Sequence, residues 1–306
     1  MKISIVATLY QTASYIDEFY RRASNAAKSL TDDYEIVLVN DGSPDDSLTL
    51  AVRLTESDSH VLLIDLSRNF GHHKAMMTGL SYAQGEKIFL IDSDLEEEPE
   101  WLLSFLKQME QDRCDVVYGV QEQRKGDRFE RWSGQLFYRF FRAFTGIDLP
   151  ENIVTARLMT RRYVDALLRH DEREVFLAGL WHITGFEQMP QIIRKHNTSE
   201  TTYTLRQKMS VLVNSITSFS NAPLRSIFYI GVAVSIVSGV YMTYLVMNWM
   251  FLAKPLSGWT SVMASIWLLG GAIISFIGVI GIYLSKIFSE TKRRPYTIIR
   301  QIYGKR

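Results

Sequence analysis

Short apolar runs alternate with segments of helical periodicity over the first 120 residues. The runs that predict strands are Ile3–Leu9, Glu35–Asn40, His60–Leu66, Lys87–Ile91 and Asp115–Val120. The helical patterns between them lie near Ser14–Leu30, after the Ser43-Pro44 turn, over His72–Ala83 and over Pro99–Gln111. Apolar strands that alternate with helices are typical of a mostly parallel sheet with helices on both faces. The pattern therefore predicts an α/β fold for this part of the chain.

Two long apolar segments follow later in the sequence. They span 227–249 and 262–284, and each has 23 residues. At about 1.5 Å per residue such a helix is roughly 34 Å long, and it can cross a hydrocarbon core of about 30 Å. Lys254 is the only charged residue between Arg225 and Lys286. We expect a transmembrane hairpin rather than two buried core helices, because core helices rarely run this far without a charge.

The charge distribution supports a membrane protein. The 306 residues carry a net charge of +1, but the sequence after Arg225 holds 8 basic residues and 1 acidic residue, and the part before it is net acidic. Basic residues flank the apolar segments, which by the positive-inside rule places both termini in the cytoplasm. We expect an integral, multi-pass protein of the inner or cell membrane. The acidic folded part argues against nucleic acid as a partner, and the single cysteine, Cys114, excludes a disulfide framework.

A candidate metal site follows the fourth predicted strand. The apolar run Ile88–Ile91 leads directly into Asp92 and Asp94, and a strand end can project both acids into one crevice. Ligands of open α/β sheets bind beyond the carboxyl ends of the strands. Mg²⁺ commonly takes one or two carboxylates together with substrate phosphates. The spacing favours a metal site, and a solvated turn is the alternative for an isolated Asp-x-Asp.

Other polar residues end predicted strands and are candidates for the same crevice. They are Thr8–Gln11, Asp41 and Asn69. Asp41 could cap the turn after its strand, or it could contact a nucleotide base or ribose. A glycine-rich dinucleotide motif and a Walker-type phosphate loop are both absent from the sequence, which disfavours those two classes of site.

Three segments carry a resemblance to a known family. They read Glu-Ile-Val-Leu-Val-Asn-Asp-Gly-Ser at 35–43, Arg-Asn-Phe-Gly-His-His-Lys at 68–74 and Ile-Asp-Ser-Asp-Leu at 91–95. Matches at 115–120 and 217–225, followed by the two apolar segments, extend the similarity in the same order. Over nearly its whole length the chain resembles the polyprenyl-phosphate glycosyltransferases of glycosyltransferase family 2.

This resemblance implies a GT-A fold, a nucleotide-diphosphate sugar donor, Mg²⁺ or Mn²⁺ as cofactor, and a polyprenyl-phosphate acceptor in the membrane. The implied enzyme is an inverting glycosyltransferase of the hexosyltransferase class that acts on the cytoplasmic face, in surface glycan or lipid modification. The implied catalytic residues are Asp94, Arg157 and Arg124. The implied nucleotide-binding residues are Thr8, Leu9, Tyr10, Asp41, Asn69, Lys74, Asp92 and Ser93. The implied metal ligands are Asp92, Asp94 and Glu96.

The same resemblance divides the chain into four parts. Residues 1–204 are expected to form the cytoplasmic GT-A catalytic domain, and 205–225 a juxtamembrane amphipathic helix. Residues 226–286 hold the two transmembrane helices, and 287–306 form a basic cytoplasmic tail. The aromatic-rich segment Gln135–Thr145 fits a helix in the headgroup region, with burial against the core as its alternative.

Some positions depart from the family pattern and keep other interpretations open. Gln11 and Thr12 replace the usual Asn-Glu of the first loop, and Thr155 replaces an acid beside the reaction centre. A polyprenyl phosphate is already an anionic nucleophile, so the missing acid is less serious for this reaction than for one that needs a strong base. A membrane-anchored nucleotide-binding scaffold without transferase activity is the main alternative. A processive polysaccharide synthase is disfavoured, because such enzymes generally have more membrane spans.

Small residues in the first apolar segment bear on assembly. Gly231, Ser235 and Gly239 recur at a spacing of four residues, which would put them on one helix face. Such a face allows another helix to pack closely in a membrane. Together with the resemblance, it favours a homo-oligomer, and ordinary tolerance of glycine in membrane helices is the alternative.

Overall fold

The computed structural model describes residues 1–121, 139–146, 152–173, 176–194, 213, 216–252 and 258–304. The chain forms two compact units. The first comprises 1–138, 147–204 and 294–306, and the second comprises 139–146 and 205–293.

The first unit is built on an eight-stranded sheet. Its strands are β1 (Ile3–Leu9), β2 (Tyr34–Asn40), β3 (Val61–Leu66), β4 (Lys87–Leu90), β5 (Val116–Gln121), β6 (Ile153–Thr160), β7 (Gln188–Ile193) and β8 (Ile299–Tyr303). Its described helices are α1 (Ile16–Lys28), α2 (Ser47–Ser57), α3 (His72–Tyr82), α4 (Trp101–Asp112), α5 (Arg161–Leu167) and α6 (Leu177–Ile183). The strand order across the sheet is β7-β5-β6-β4-β1-β2-β3-β8.

Most strand pairs that carry the site are parallel. β1 pairs in parallel with β2 and β4, and β2 pairs in parallel with β3. β6 runs antiparallel between β4 and β5, so its first residues lie at the same end of the sheet as the last residues of β4. The prediction of a mostly parallel α/β sheet is confirmed. The five predicted strands in residues 1–120 are all present.

The core explains why the strands read as continuous apolar runs. All seven residues of β1 are buried, because helices cover both faces of the sheet. On one face, Phe89 of β4 meets Phe105 of α4 edge to face, with ring centroids 5.9 Å apart. On α1, Ile16, Phe19 and Ala23 are buried at helical spacing. Apolar burial thus fixes the strand register and, through it, which side chains reach the ends of the sheet.

The sequence did not predict the outermost strand β8. It follows the second long helix and pairs antiparallel with β3. Residues 287–306 were expected to form a basic tail, but the structure continues the helix to Thr291 and then places Ile299–Tyr303 in the sheet of the first unit. The five residues Ile-Arg-Gln-Ile-Tyr of β8 do not alternate regularly between apolar and polar side chains, so they give little periodic signal. Main-chain pairing with β3 is what orders them.

The second unit contains two long apolar helices, α7 (Ala222–Leu252) and α8 (Trp259–Thr291). Both are long and apolar enough to cross a membrane by length and composition. Two side chains in the last part of α8 donate hydrogen bonds to residues that precede α7. The Tyr283 hydroxyl donates to the carbonyl oxygen of Ser220 at 2.6 Å, and Lys286 Nζ donates to Ser218 Oγ at 2.7 Å. The helical pattern expected for 227–249 and 262–284 is confirmed.

Part of the aromatic segment expected at a membrane surface also lies in this unit. Residues 139–145 are helical, and the rest of Gln135–Thr145 lies outside the described residues. Phe141 is buried and its ring centroid is 6.4 Å from that of Phe219, whereas Arg139 and Arg142 are exposed. The described part therefore has one apolar and one basic side, as an interfacial helix requires.

Candidate active site

Four loops meet at the carboxyl end of the sheet, where β1, β2, β3 and β4 end. Parallel neighbours place their last residues side by side, so Leu9 of β1 stands opposite Asn40 of β2. Asn40 stands in turn opposite Asp65 of β3, and Val6 stands opposite Leu90 of β4. Most of the residues implied by the resemblance follow these strand ends. The sheet alone therefore gathers residues that are up to 85 positions apart in the chain.

The loop after β4 presents the two predicted metal ligands. Ser93 is buried and its hydroxyl donates to the carbonyl oxygen of Thr8 at 2.7 Å, which ties this loop to the end of β1. Asp94 Oδ1 accepts the backbone N–H of Glu96 at 3.0 Å. The residue between them, Leu95, has a φ of 59°, which is uncommon for a side chain of this size. The loop is thus held in a tight, strained turn that fixes Asp94 relative to the sheet.

His72 links the loop after β4 to β1. Its Nδ1 lies 3.0 Å from Thr8 Oγ1, and its Nε2 lies 3.1 Å from Asp92 Oδ1. Partial burial by itself would lower the pKa of His72, but the hydrogen bond to Asp92 and the charges of Asp92, Asp41 and Asp94 outweigh it and raise the pKa. Three of the predicted site acids therefore act on one imidazole. His72 sets the orientation of the Asp92 carboxylate.

Asp41 holds the loop after β3 through its carboxylate. Oδ1 accepts the backbone N–H of Phe70 at 2.7 Å, and Oδ2 accepts that of Gly71 at 3.0 Å. Burial raises the pKa of Asp41, against the opposing effect of these two hydrogen bonds. At Gly42, with φ +60°, an added Cβ would lie 2.5 Å from the backbone of Arg68 and Asn69. The two loops therefore touch main chain to main chain, and glycine is required at that contact.

The loop after β1 is fastened to the loop after β2. The backbone N–H of Gln11 donates to Ser43 Oγ at 2.7 Å, and that of Ala13 donates to Asp45 Oδ2 at 3.0 Å. Burial would raise the pKa of Asp45, but hydrogen bonds from the side chains of Ser43 and Ser47 and from the backbone N–H groups of Ala13 and Ser47 lower it to about 2. Asp45 is therefore ionised at neutral pH. Gln11 adopts a φ of 56°, so this loop also contains a residue in the left-handed region.

The three residues implied for nucleotide binding in this first loop are placed differently. Tyr10 is exposed and available to a ligand. Leu9 has its side chain fully buried in the core, so only its backbone faces the carboxyl end of the sheet. Thr8 is buried and engaged with His72. Of these side chains, only Tyr10 is open to solvent.

Glu97 is a site residue that sequence reasoning missed. It is completely buried, and its Oε1 accepts the backbone N–H of Thr155 at 3.0 Å. Its Oε2 lies 3.5 Å from the backbone nitrogen of Asp92, a weak contact. Glu97 thus joins the loop after β4 to the start of β6, beside the position at which Thr155 replaces a family acid. The signal in the sequence was its place three residues after Asp94, within the acidic run 96–98.

Arg157 lies inside β6 and not at the surface. It stands opposite Leu90 of β4, is 1% exposed, and its guanidinium lies over the ring of Trp181. Burial lowers the pKa of Arg157 to about 9, while Tyr163 and Glu97 oppose the shift, so the group stays charged at neutral pH. The catalytic role that the resemblance implies for Arg157 stays a prediction, since Trp181 covers its guanidinium in this structure.

The remaining implied residues surround this centre. Asn69 is exposed in the loop after β3, and Lys74 is half-buried in the first turn of α3. Glu96 is buried, with its backbone N–H on Asp94. Arg124 lies outside the described residues.

The carboxylates after β4 suit a divalent cation that also takes ligands from a bound diphosphate. Among the described residues, no three His, Cys, Asp or Glu side chains form a group that could hold a metal ion by themselves. Asp92, Asp94 and Glu96 therefore do not make a ready three-carboxylate cage. Mg²⁺ needs only one or two carboxylates when diphosphate oxygens and water complete its octahedral shell. Asp92 and Asp94 fit that donor set.

Known proteins are similar to this chain in sequence over half of its length or more. A profile of Glycosyl transferase family 2 matches residues 4–168. A protein of Mycobacterium tuberculosis (strain CDC 1551 / Oshkosh) named as a glycosyltransferase is 50% identical over 304 residues, which cover 99% of this chain and 89% of that protein. The prophage bactoprenol glucosyl transferase homolog of Escherichia coli (strain K12) is 30% identical over 306 residues and covers 99% of both chains.

One solved structure that resembles the fold is the mannosyltransferase PcManGT from Pyrobaculum calidifontis in complex with GDP-Man and Mn2+. It is 14% identical, covers 94% of this chain and 84% of its own, and has a TM-score of 0.47.

Proposed function

This chain belongs to glycosyl transferase family 2, and from that membership we propose that it moves a hexose from a nucleotide-diphosphate sugar to a polyprenyl phosphate. The observation that carries the proposal is similarity over the full chain to a bactoprenol glucosyl transferase homolog, including the part that holds the two apolar helices. Fold alone would not imply an acceptor. Similarity that continues through the membrane-type helices supports a lipid-linked one, and glucose is the first sugar to test.

The proposed reaction is a displacement at the anomeric carbon. An oxygen of the acceptor phosphate forms the new bond to that carbon, while the bond from the carbon to the diphosphate oxygen breaks. The electron pair of the broken bond leaves with the nucleoside diphosphate. Attack from the face opposite the leaving group inverts the configuration. The phosphate nucleophile is already ionised at neutral pH, so the chain must supply mainly positioning and charge stabilisation.

The residues at the carboxyl end of the sheet supply that positioning. Asp41 holds the backbone of Phe70 and Gly71, and Ser43 holds the backbone of Gln11. These contacts fix the two loops between which the donor nucleotide would lie. The exposed Tyr10 can cover a flat base. Rigid loops of this kind lower the entropy cost of placing the sugar in line with its acceptor.

We propose Asp94 and Asp92 as the residues that would hold Mg²⁺ or Mn²⁺. A divalent ion bound there would offset the charge that develops on the leaving diphosphate. His72 and the Glu96 amide keep the two carboxylates in fixed orientations. Neutral donors such as the Glu96 N–H orient a carboxylate without cancelling its charge. Asp94 would therefore keep its affinity for a cation.

We propose that α7 and α8 span the membrane and that the catalytic unit acts on its cytoplasmic side. Support comes from the apolar length of both helices and from the basic residues beyond them. The exposed Arg139 and Arg142 of the 139–145 helix suit a surface of anionic headgroups.

Transfer by the purified full chain tests the proposal. The protein in detergent is incubated with radiolabelled UDP-glucose, and then with a panel of other nucleotide sugars, in the presence of undecaprenyl phosphate and Mg²⁺ or Mn²⁺. We expect lipid-extractable label that disappears with EDTA and in Asp94→Ala. Asp46→Ala, an exposed acid before α2, is the matched control that should retain transfer.

Two results would contradict the proposal. Nucleotide binding without lipid-linked product from any donor would favour the membrane-anchored scaffold. Full transfer in EDTA would remove the metal from the mechanism and leave the glycosyltransferase assignment standing.

A further inference from the structure

The segment that follows α8 belongs to the first unit and contacts two of its elements. Thr297 Oγ1 lies 2.9 Å from Thr78 Oγ1 of α3. The carbonyl oxygen of Ile298 accepts the backbone N–H of Ser67 at 2.8 Å, directly after β3. β8 then pairs with β3. Residues that come after both apolar helices in the sequence therefore help to build the wall of the candidate active site.

Arg300 contacts a buried carboxylate within this wall. Its Nη1 lies 3.3 Å from Asp65 Oδ2, and its Nη2 donates to the carbonyl oxygen of Ser67 at 2.7 Å. Asp65 is 1% exposed, whereas the Arg300 side chain is 56% exposed. One guanidinium thus joins a buried carboxylate to the first residue of the loop after β3. That loop carries Phe70 and Gly71 to Asp41.

The buried carboxylate continues the connection to the loop after β2. Asp65 Oδ1 accepts the side-chain N–H of Asn40 at 2.7 Å, and Asn40 is 2% exposed. Asn40 Oδ1 accepts the backbone N–H of Ser43 at 3.2 Å. The Ser43 hydroxyl accepts the backbone N–H of Gln11 at 2.7 Å. A continuous set of hydrogen bonds therefore runs from Arg300 to all three loops around the proposed nucleotide.

We propose that Arg300 and Asp65 are positioning residues for the donor site, so that the segment after the membrane helices tunes nucleotide-sugar binding. The inference rests on the proposed function, because it assigns these loops to the donor. Asp65 is buried and ionisable, and its orientation depends on its two partners. Loss of Arg300 frees one carboxylate oxygen, which loosens Asn40 and the loop amides that Asn40 and Asp41 hold. Outer partners of this kind commonly change a site without touching its ligand.

Arg300→Gln in the full chain tests the inference through donor kinetics. We expect the KM for the nucleotide sugar to rise about fivefold while kcat changes less than about twofold, because donor binding and not the chemistry is affected. Arg300→Lys should recover part of the loss, since an ammonium can meet Asp65 but cannot also span to Ser67. Arg53→Gln, on the exposed side of α2, is the control for loss of one positive charge and should behave as wild type.

Hydrogen–deuterium exchange of the same proteins without donor gives a readout that does not need activity. Peptides that cover 41–47 and 67–73 should exchange faster in Arg300→Gln, and peptides from β1 should not change. If the wild-type protein transfers no sugar at all, the proposed function fails and the exchange result alone decides the role of Arg300. Unchanged KM and unchanged exchange in both peptides would overturn the inference. Faster exchange throughout the sheet would also overturn it, because Arg300 would then serve general stability.

Discussion

Acidic side chains lie at both ends of the sheet, but their partners differ. At the amino end, where the parallel strands begin, Glu35 lies 3.4 Å from Lys2 Nζ. In the same region Asp115 pairs with Arg162 and accepts the Thr160 hydroxyl at 2.8 Å. At the carboxyl end, Asp41 accepts backbone amides of the loop after β3 and Asp94 accepts one from its own loop.

This difference separates acids that stabilise the fold from acids that could serve a ligand. A lysine or arginine cancels the charge of a carboxylate and joins two elements. A backbone N–H fixes the direction of a carboxylate and leaves its charge, so the group can still attract a cation. We infer that Asp115 at the amino end contributes to stability, whereas Asp41 and Asp94 at the carboxyl end contribute to binding and catalysis.

The largest expected effect is at Asp94. Asp94→Asn should lower kcat/KM at least about a hundredfold, because it removes a charge proposed to act on the leaving diphosphate. The melting temperature should stay close to that of wild type, since the side-chain oxygen can still accept the Glu96 amide. Transfer assays and thermal melts on the same preparation check both points. A variant that keeps most of its activity would contradict the role of Asp94 as a metal ligand.

A smaller loss is expected at His72, which contacts Asp92 but is not proposed to touch the metal. His72→Gln should reduce transfer about tenfold, as is usual for groups that orient a ligating carboxylate. The matched control is His60→Gln at the amino end, where the imidazole lies 2.6 Å from Asp58. That variant should retain its transfer rate. Equal activity of the two variants would show that transfer does not depend on the orientation of Asp92 by His72.

The reverse outcome is expected for an acid at the amino end. Asp115→Asn should destabilise the protein by about 1 kcal/mol, a modest value because Arg162 is largely exposed and water screens the pair. Its activity per folded molecule should equal that of wild type. Chemical denaturation and transfer assays measure the two quantities. A large loss of transfer without loss of stability would break the proposed division between the two ends.

The smallest expected effect is on the pH dependence of stability. Burial raises the pKa of Asp41, so the folded state binds the proton more tightly, and stability should fall as pH rises from about 3.9 toward the raised pKa. Burial would also raise the pKa of Asp115, but hydrogen bonds from Arg162 and Thr160 lower it. The stability that Asp115 contributes is therefore fully present above about pH 3.9 and is lost as pH falls toward the lowered pKa.

Melting curves between about pH 3 and about pH 6 separate these two effects. Asp41→Asn should remove the decline on the higher side of this range, and Asp115→Asn should remove the loss on the acidic side. The same slope in both variants would show that the two carboxylates have similar environments, contrary to the structure.

Much of the fold could be predicted from periodicity, but several side-chain roles could not. The five strands of residues 1–120 and the two long helices follow directly from apolar spacing. The acid pair after β4 followed from a buried run that ends in Asp92 and Asp94. Leu9 shows the limit of motif matching, because a position implied for nucleotide binding has its side chain in the core. Glu97 shows the opposite error, since its partner Thr155 is 58 residues away in the chain.

The α/β fold, the two apolar helices and the family could be read from the amino-acid sequence, because each depends on patterns that are local or repeated along the chain. Tertiary structure alone decided which acids face cations and which face amides, and that Arg300 bears on the loops around the proposed donor. Those outcomes depend on strand order and register, which bring together residues as far apart as Asp65 and Arg300, at a separation of 235 positions. Hydrogen bonds act over a few ångströms in space, and the separation of two residues along the chain does not indicate whether they are hydrogen-bonded.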